Sequence, residues 1–102
     1  MHQFKELLIW KKSRVFCSEI YSVTYSFPEE EKFGLTNQLR RASVSIPSNI
    51  AEGSSRNSNK DFSRFLEIAI GSAYEIETQL LIANDLGFIN NGQSESLIFQ
   101  LE

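Results

Sequence analysis

Histidine and cysteine are almost missing from this 102-residue chain, which has one of each, His2 and Cys17. A lone cysteine excludes an intramolecular disulfide and a Cys-based metal cluster, and it fits a reducing compartment. A lone histidine outside any predicted helix excludes the Glu-x-x-His pairs of a di-iron bundle and leaves Cys17 without a base to activate it. Long apolar runs are absent too. None approaches the roughly 18 residues of a membrane-spanning helix, and Met1–Glu6 lacks the apolar core of about 7 to 15 residues that a secretory signal needs. No Gly-rich phosphate loop is present, because Gly53-Ser54-Ser55-Arg56 follows a predicted helix and does not open one after a strand. The expectation is a cytoplasmic protein that is not an enzyme and has no cofactor, metal, small-molecule substrate or membrane segment.

What is present is a 41% hydrophobic, 23% charged composition whose net charge of −3 hides a split. All ten Lys and Arg fall in residues 1–64 beside seven acids, leaving +3, whereas residues 65–102 hold six acids and no base, leaving −6. Bulk charge therefore does not mark a nucleic-acid-coating protein, but local clusters remain to be placed. A chain of this length supports one core, so residues 1–102 are read as a single domain.

Apolar residues recur at helical intervals almost throughout, and dense turn signals occur only at Phe27-Pro28, at 53–58 and at 87–92. Three breaks make four helices, at approximately 4–26, 29–53, 59–86 and 94–102. The fold class is all-α, an antiparallel up-and-down four-helix bundle. Helix one presents Ile9, Phe16, Ile20, Val23 and Phe27. Helix two opens on Glu29, Glu30 and Glu31 and presents Leu35, Leu39, Ala42, Ile46 and Ile50 before ending at Gly53. Pro47 interrupts its hydrogen bonding, yet the apolar line runs on in phase, so the helix is read as continuous and Pro-kinked, with Ser43, Ser45 and Ser48 supplying local hydrogen bonds.

Helix three has both ends marked, Ser58 with Asp61 as an N-terminal cap and Gly87 as a left-handed stop. Between them Phe62, Leu66, Ala69, Ala73, Ile76, Leu80 and Ala83 repeat at the interval of antiparallel bundle packing. Phe65, Ile68, Ile70, Leu81 and Ile82 fall outside that line, either as a subunit interface or as the edge of a wider core, and Gly71 suggests a close backbone approach. Helix four, with Leu97, Ile98 and Leu101, is short or truncated.

The basic residues form three groups: Lys11, Lys12 and Arg14; Arg40 and Arg41; and Arg56, Lys60 and Arg64. Scattered, they make a solvated face; gathered, they make an anion-binding surface for nucleic acid. Asn49 and Glu77 lie near the core lines of helices two and three, where burial without partners is costly. Glu77 is therefore expected to bond across the bundle to Asn49 or Arg41 in a structural role.

The run Asn37-Gln38-Leu39-Arg40-Arg41-Ala42-Ser43-Val44-Ser45-Ile46-Pro47-Ser48-Asn49-Ile50-Ala51-Glu52-Gly53, preceded by Phe27-Pro28-Glu29, resembles the signature of the bacterial four-helix-bundle family of 23S rRNA intervening-sequence proteins. The likeness continues through Phe65-Leu66-Glu67-Ile68-Ala69-Ile70-Gly71-Ser72, Glu75-Ile76-Glu77-Thr78-Gln79-Leu80 and Asp85-Leu86-Gly87-Phe88-Ile89. It implies a homo-oligomer, commonly a pentameric ring. A similar bundle, the accessory protein of diversity-generating retroelements, is linked to nucleic acid and reverse transcriptase, so structured RNA or a nucleic-acid enzyme becomes an expected partner. Carried over by position, the signature polar residues are Arg40, Arg41, Ser45, Asn49, Glu52, Glu75 and Glu77.

Overall fold

Helix termini are set by local caps. In the computed structural model, which describes residues 3–101, the helices are α1 (Leu8–Thr24), α2 (Leu35–Ser54), α3 (Asn59–Asp85) and α4 (Asn91–Leu101), with 3-10 turns at Phe4–Glu6 and Glu29–Glu31. Ser58 accepts a hydrogen bond from Asp61 N at 3.1 Å and opens α3 as expected. At its far end Gly87 adopts φ +78°, and Phe88 N donates to Ala83 O at 2.9 Å, the left-handed stop that a glycine tolerates without strain.

Three starts differ from the sequence reading. Leu7 is extended (φ −72°, ψ 126°), so Phe4–Glu6 is a separate turn and α1 begins at Leu8. The three glutamates form their own turn, and Gly34 (φ −106°, ψ −117°) separates it from α2. Only Glu31 still serves α2, its Oε1 accepting from Leu35 N at 3.0 Å. Helix α4 begins three residues early because Asn90 and Gln93 cap each other reciprocally, Gln93 N donating to Asn90 Oδ1 at 2.8 Å and Asn90 N to Gln93 Oε1 at 3.2 Å. Helix α2 runs unbroken through Pro47. Ser43 makes a local bond as expected, its Oγ donating to Arg40 O at 2.8 Å, whereas the Ser45 hydroxyl pairs with Ser72 Oγ on α3.

Neighbouring helices pack antiparallel around Ile20, Leu39, Ile76 and Leu80, all fully buried, with Phe16, Ile46, Ile50, Ala69, Ala83 and Leu97 completing the core. At the turn end the rings of Phe27 and Phe88 meet at 5.5 Å and tie the first and third connections together. All five residues of the helix-two line are buried. Ile9, placed in the core of helix one by its spacing, is instead 49% exposed. Helix α4 starts beside Asn84, bonded to Asn91 at 2.7 Å, so its last residue is level with Tyr74, and Ile9 and Ile70 lie beyond its reach.

The close backbone approach falls at Gly53 and not at Gly71. A Cβ on Gly53 would sit 2.7 Å from Phe65 Cβ and 3.0 Å from Phe62 Cδ1, whereas nothing lies within 4 Å of Gly71. Phe65, which falls outside the core line by periodicity, is buried against this glycine as the edge of a wider core, while Ile68, Ile70, Leu81 and Ile82 are exposed. Gly53→Ala is therefore expected to destabilise the fold by about 1–3 kcal/mol through overpacking. Gly71→Ala should stabilise it by about 0.5–1 kcal/mol through helix propensity. Urea unfolding of the two variants, with unchanged m, checks the opposite signs.

Candidate functional site

Two basic segments far apart in sequence are brought to one end of the bundle by the helix register. Ser43 lies beside Cys17 and Arg40 beside Thr24, while Ser45 meets Ser72 and Gln38 meets Gln79. Followed along the helices, these pairings set the start of α1 level with the end of α2 and the start of α3. Lys5, Lys11, Lys12 and Arg14 thus share an end with Arg56, Lys60 and Arg64, all exposed. Acids at that end are Glu6, Glu52, Asp61 and Glu67, fewer than the cations. The opposite half carries Glu19, Glu29, Glu30, Glu31, Glu75, Glu77, Asp85 and Glu95 against Lys32, Arg40 and Arg41. The N-termini of α1 and α3 also lie at the basic end with the C-terminus of α2, so two positive macrodipole ends face one negative end there.

Aromatic rings hold several of these cations in place. The Arg14 guanidinium lies 5.5 Å from the Trp10 ring, and Arg56 and Arg64 lie 4.8 and 5.6 Å from the ring of Phe65. Arg56 Nη2 also pairs with Glu52 Oε1 at 3.2 Å across one helical turn, an exposed pair of small energetic weight. Lys60 and Arg64 project from the first two turns of α3.

Arg40 and Arg41, adjacent in sequence, point to opposite sides of α2. Arg40 is turned toward α1: its Nε donates to Thr24 Oγ1 at 2.8 Å, Nη2 donates to Tyr21 O at 3.4 Å, and the guanidinium covers the Tyr21 ring at 4.7 Å. Thr24 Oγ1 in turn donates to Ile20 O at 2.7 Å. Arg40 is therefore a clasp between helices and is separated from the basic end. Arg41 lies on the α3 side, lining a groove of about 410 Å³ with Asn37, Gln38, Ala42, Ser45, Ser72 and Glu75.

That groove collects much of the polar signature. Ser45 bonds Ser72, Asn49 Nδ2 donates to Ser45 O at 2.7 Å, and Gln79 Nε2 donates to Glu75 Oε1 at 3.1 Å and to Gln38 Oε1 at 3.3 Å. Asn49 and Glu77 are half-buried as their angles imply. The expected bond from Glu77 to Asn49 or Arg41 is not formed, because Asn49 is committed to its own helix and Glu77 points away from the α2–α3 seam. Sequence reasoning missed Thr24, Gln38, Ser72 and Gln79. Gln79 was legible in part, since it lies between Ile76 and Leu80 near the core line, and it is 6% exposed with Oε1 buried and unpaired. Cys17 Sγ lies 3.4 Å from Ser43 Oγ, whose proton goes to Arg40 O, beneath the Arg40 clasp. No described helix is long and apolar enough to cross a membrane.

A family model described as 23S rRNA-intervening sequence protein matches residues 5–102. No curated protein matches the chain. Among solved structures, the chain is similar to a protein of unknown function from the S23 ribosomal protein family of Bacteroides thetaiotaomicron. The two share 29% identity and a TM-score of 0.81 over 92% of this chain and 88% of that one.

The two arginines should separate in a stability measurement. Arg40→Ala removes charge-assisted bonds and a stacked guanidinium and is expected to cost about 1–3 kcal/mol in urea unfolding. Arg41→Ala, at an exposed position, should stay within about 0.5 kcal/mol of the parent. Equal effects would refute the clasp.

Proposed function

The chain belongs to the 23S rRNA-intervening sequence protein family, and from that premise we propose that it is a non-catalytic, cytoplasmic scaffold that binds structured RNA through its basic end. The observation that carries this reading is the convergence of Lys5, Lys11, Lys12 and Arg14 with Arg56, Lys60 and Arg64, which neither sequence segment achieves alone. A cluster of this kind releases condensed counterions from a phosphate backbone even when the whole protein is acidic. Arg40 and Arg41 take no part in the surface, Arg40 because it is bound to α1 and Arg41 because it lines the α2–α3 groove.

Several copies make the scaffold. Ile70, Tyr74 and Leu81 lie along one outer side of α3 and are exposed, an arrangement that a second copy would cover, and family likeness favours a ring of five. The same surface could take a nucleic-acid enzyme as a protein partner in place of RNA binding. It is the exposed apolar side of α3 that favours this second reading.

Two measurements test these statements. Titration into a labelled structured RNA should give binding whose logarithm falls linearly with the logarithm of salt. Lys11→Gln/Lys12→Gln/Arg64→Gln should lower that slope by about 2–3. No binding at low salt would remove the RNA reading and leave the protein scaffold. Separately, Ile70→Lys/Leu81→Lys should reduce the mass found by light scattering to that of one chain, and an unchanged mass would exclude this side of α3 as the contact.

A further inference from the structure

The geometry points to double-stranded RNA, held by its phosphate backbone, as the ligand of the basic end, in preference to unpaired bases. This inference rests on the reading of that end as a nucleic-acid surface. Proteins that hold single strands pair a basic groove with aromatic rings left open for base stacking. At the basic end of this bundle the rings are already occupied. Phe65 is buried and carries Arg56 and Arg64 on its ring, and Trp10 is half-buried, with Arg14 over its face and the Phe4 ring edge-on at 5.2 Å.

The exposed aromatics lie elsewhere. Tyr25 and Phe33, 88% and 87% exposed, belong to the acidic turn end, with Lys32 over the Phe33 ring at 5.6 Å, and the exposed Tyr74 and Phe99 lie on α3 and α4 away from the basic end. The rings most open to a base thus lie away from the cations of the basic end. The guanidiniums at the basic end have instead been preorganised by the rings that carry them, which suits bidentate contact with phosphate. They project from α1, from the connection between α2 and α3 and from α3, and so are spread across a bundle whose transverse extents are 24 and 18 Å. A duplex offers a rigid surface with one charge per about 1.7 Å of axis, twice the axial density of one strand, and a spread array of fixed cations meets it without first ordering it.

The test uses the full chain with an RNA duplex of about 20 base pairs, each of its strands alone, and a DNA duplex of the same sequence. The duplex RNA is expected to bind at least about tenfold more tightly than either strand, and Arg14→Gln/Arg64→Gln should weaken duplex binding about tenfold. A strand that binds as tightly as the duplex overturns the inference and leaves the RNA-binding reading intact. If no RNA binds at low salt, the RNA-binding reading falls and the inference with it. DNA duplex bound as tightly as RNA supports backbone contact by charge alone. Weaker DNA binding supports backbone contact that includes the 2′-hydroxyl, and tighter DNA binding overturns the assignment to RNA.

Discussion

The register of α2 between its two neighbours is the constraint on which the rest of the molecule depends. On one side Arg40 holds Thr24 and Tyr21 of α1; on the other Gly53 admits Phe65 of α3, and Ser45 meets Ser72. Apolar stripes alone leave helices able to slide, because leucine-like surfaces match in more than one position. A guanidinium bound to one hydroxyl and a glycine fitted to one ring have a single solution. A shift of α2 by one turn would strand the Arg40 charge, bring Cβ-bearing Asn49 or Ile50 toward the Phe65 position and break the Gln38–Gln79 contact.

That register also decides where charge goes. The chain's early cations lie in α1, before the first turn, and in the connection between α2 and α3; antiparallel packing superimposes these two places. The acids of the first connection, Glu29, Glu30 and Glu31, superimpose on Asp85 and Glu95 at the opposite end. The result is an axial separation of charge in a chain whose net value says little. Exposed cations of this kind contribute little to folding, since surface pairs such as Arg56–Glu52 have small weight.

Much of the architecture was legible in the residues because it rests on period and punctuation. Ser58 and Gly87 bounded α3 correctly, and every residue of the helix-two line is buried. The misreadings have local causes. Asn90-Asn91-Gly92 has turn composition, yet Asn90 also caps a helix through Gln93, and composition alone does not distinguish the two. Ile9 has the right angle for the core, but angle carries no information on how far α4 extends along its partners. The sequence marks Gly53 as a helix end and suggests a close approach at Gly71, yet it is the packing of Phe65 that leaves no room for a Cβ at Gly53. The candidate site was half legible. Its cations could be named, whereas their meeting at one end, and the division of Arg40 from Arg41, required the register.

Assembly and charge constrain each other. The exposed residues Ile70, Tyr74 and Leu81 lie on the side of α3 and not at its basic start, so covering them leaves the cationic end open. The symmetry of the contact then matters. A two-fold contact with its axis perpendicular to the bundles would set the copies antiparallel, placing each basic end beside an acidic one and cancelling the local field. A closed ring with its axis along the bundles instead keeps every basic end on one face, where their potentials add and the acids collect on the other. A single chain offers only a small excess of cations over acids at that end. A cyclic assembly would multiply this excess without changing a residue, so under the proposed phosphate binding a ring would serve better than a two-fold dimer.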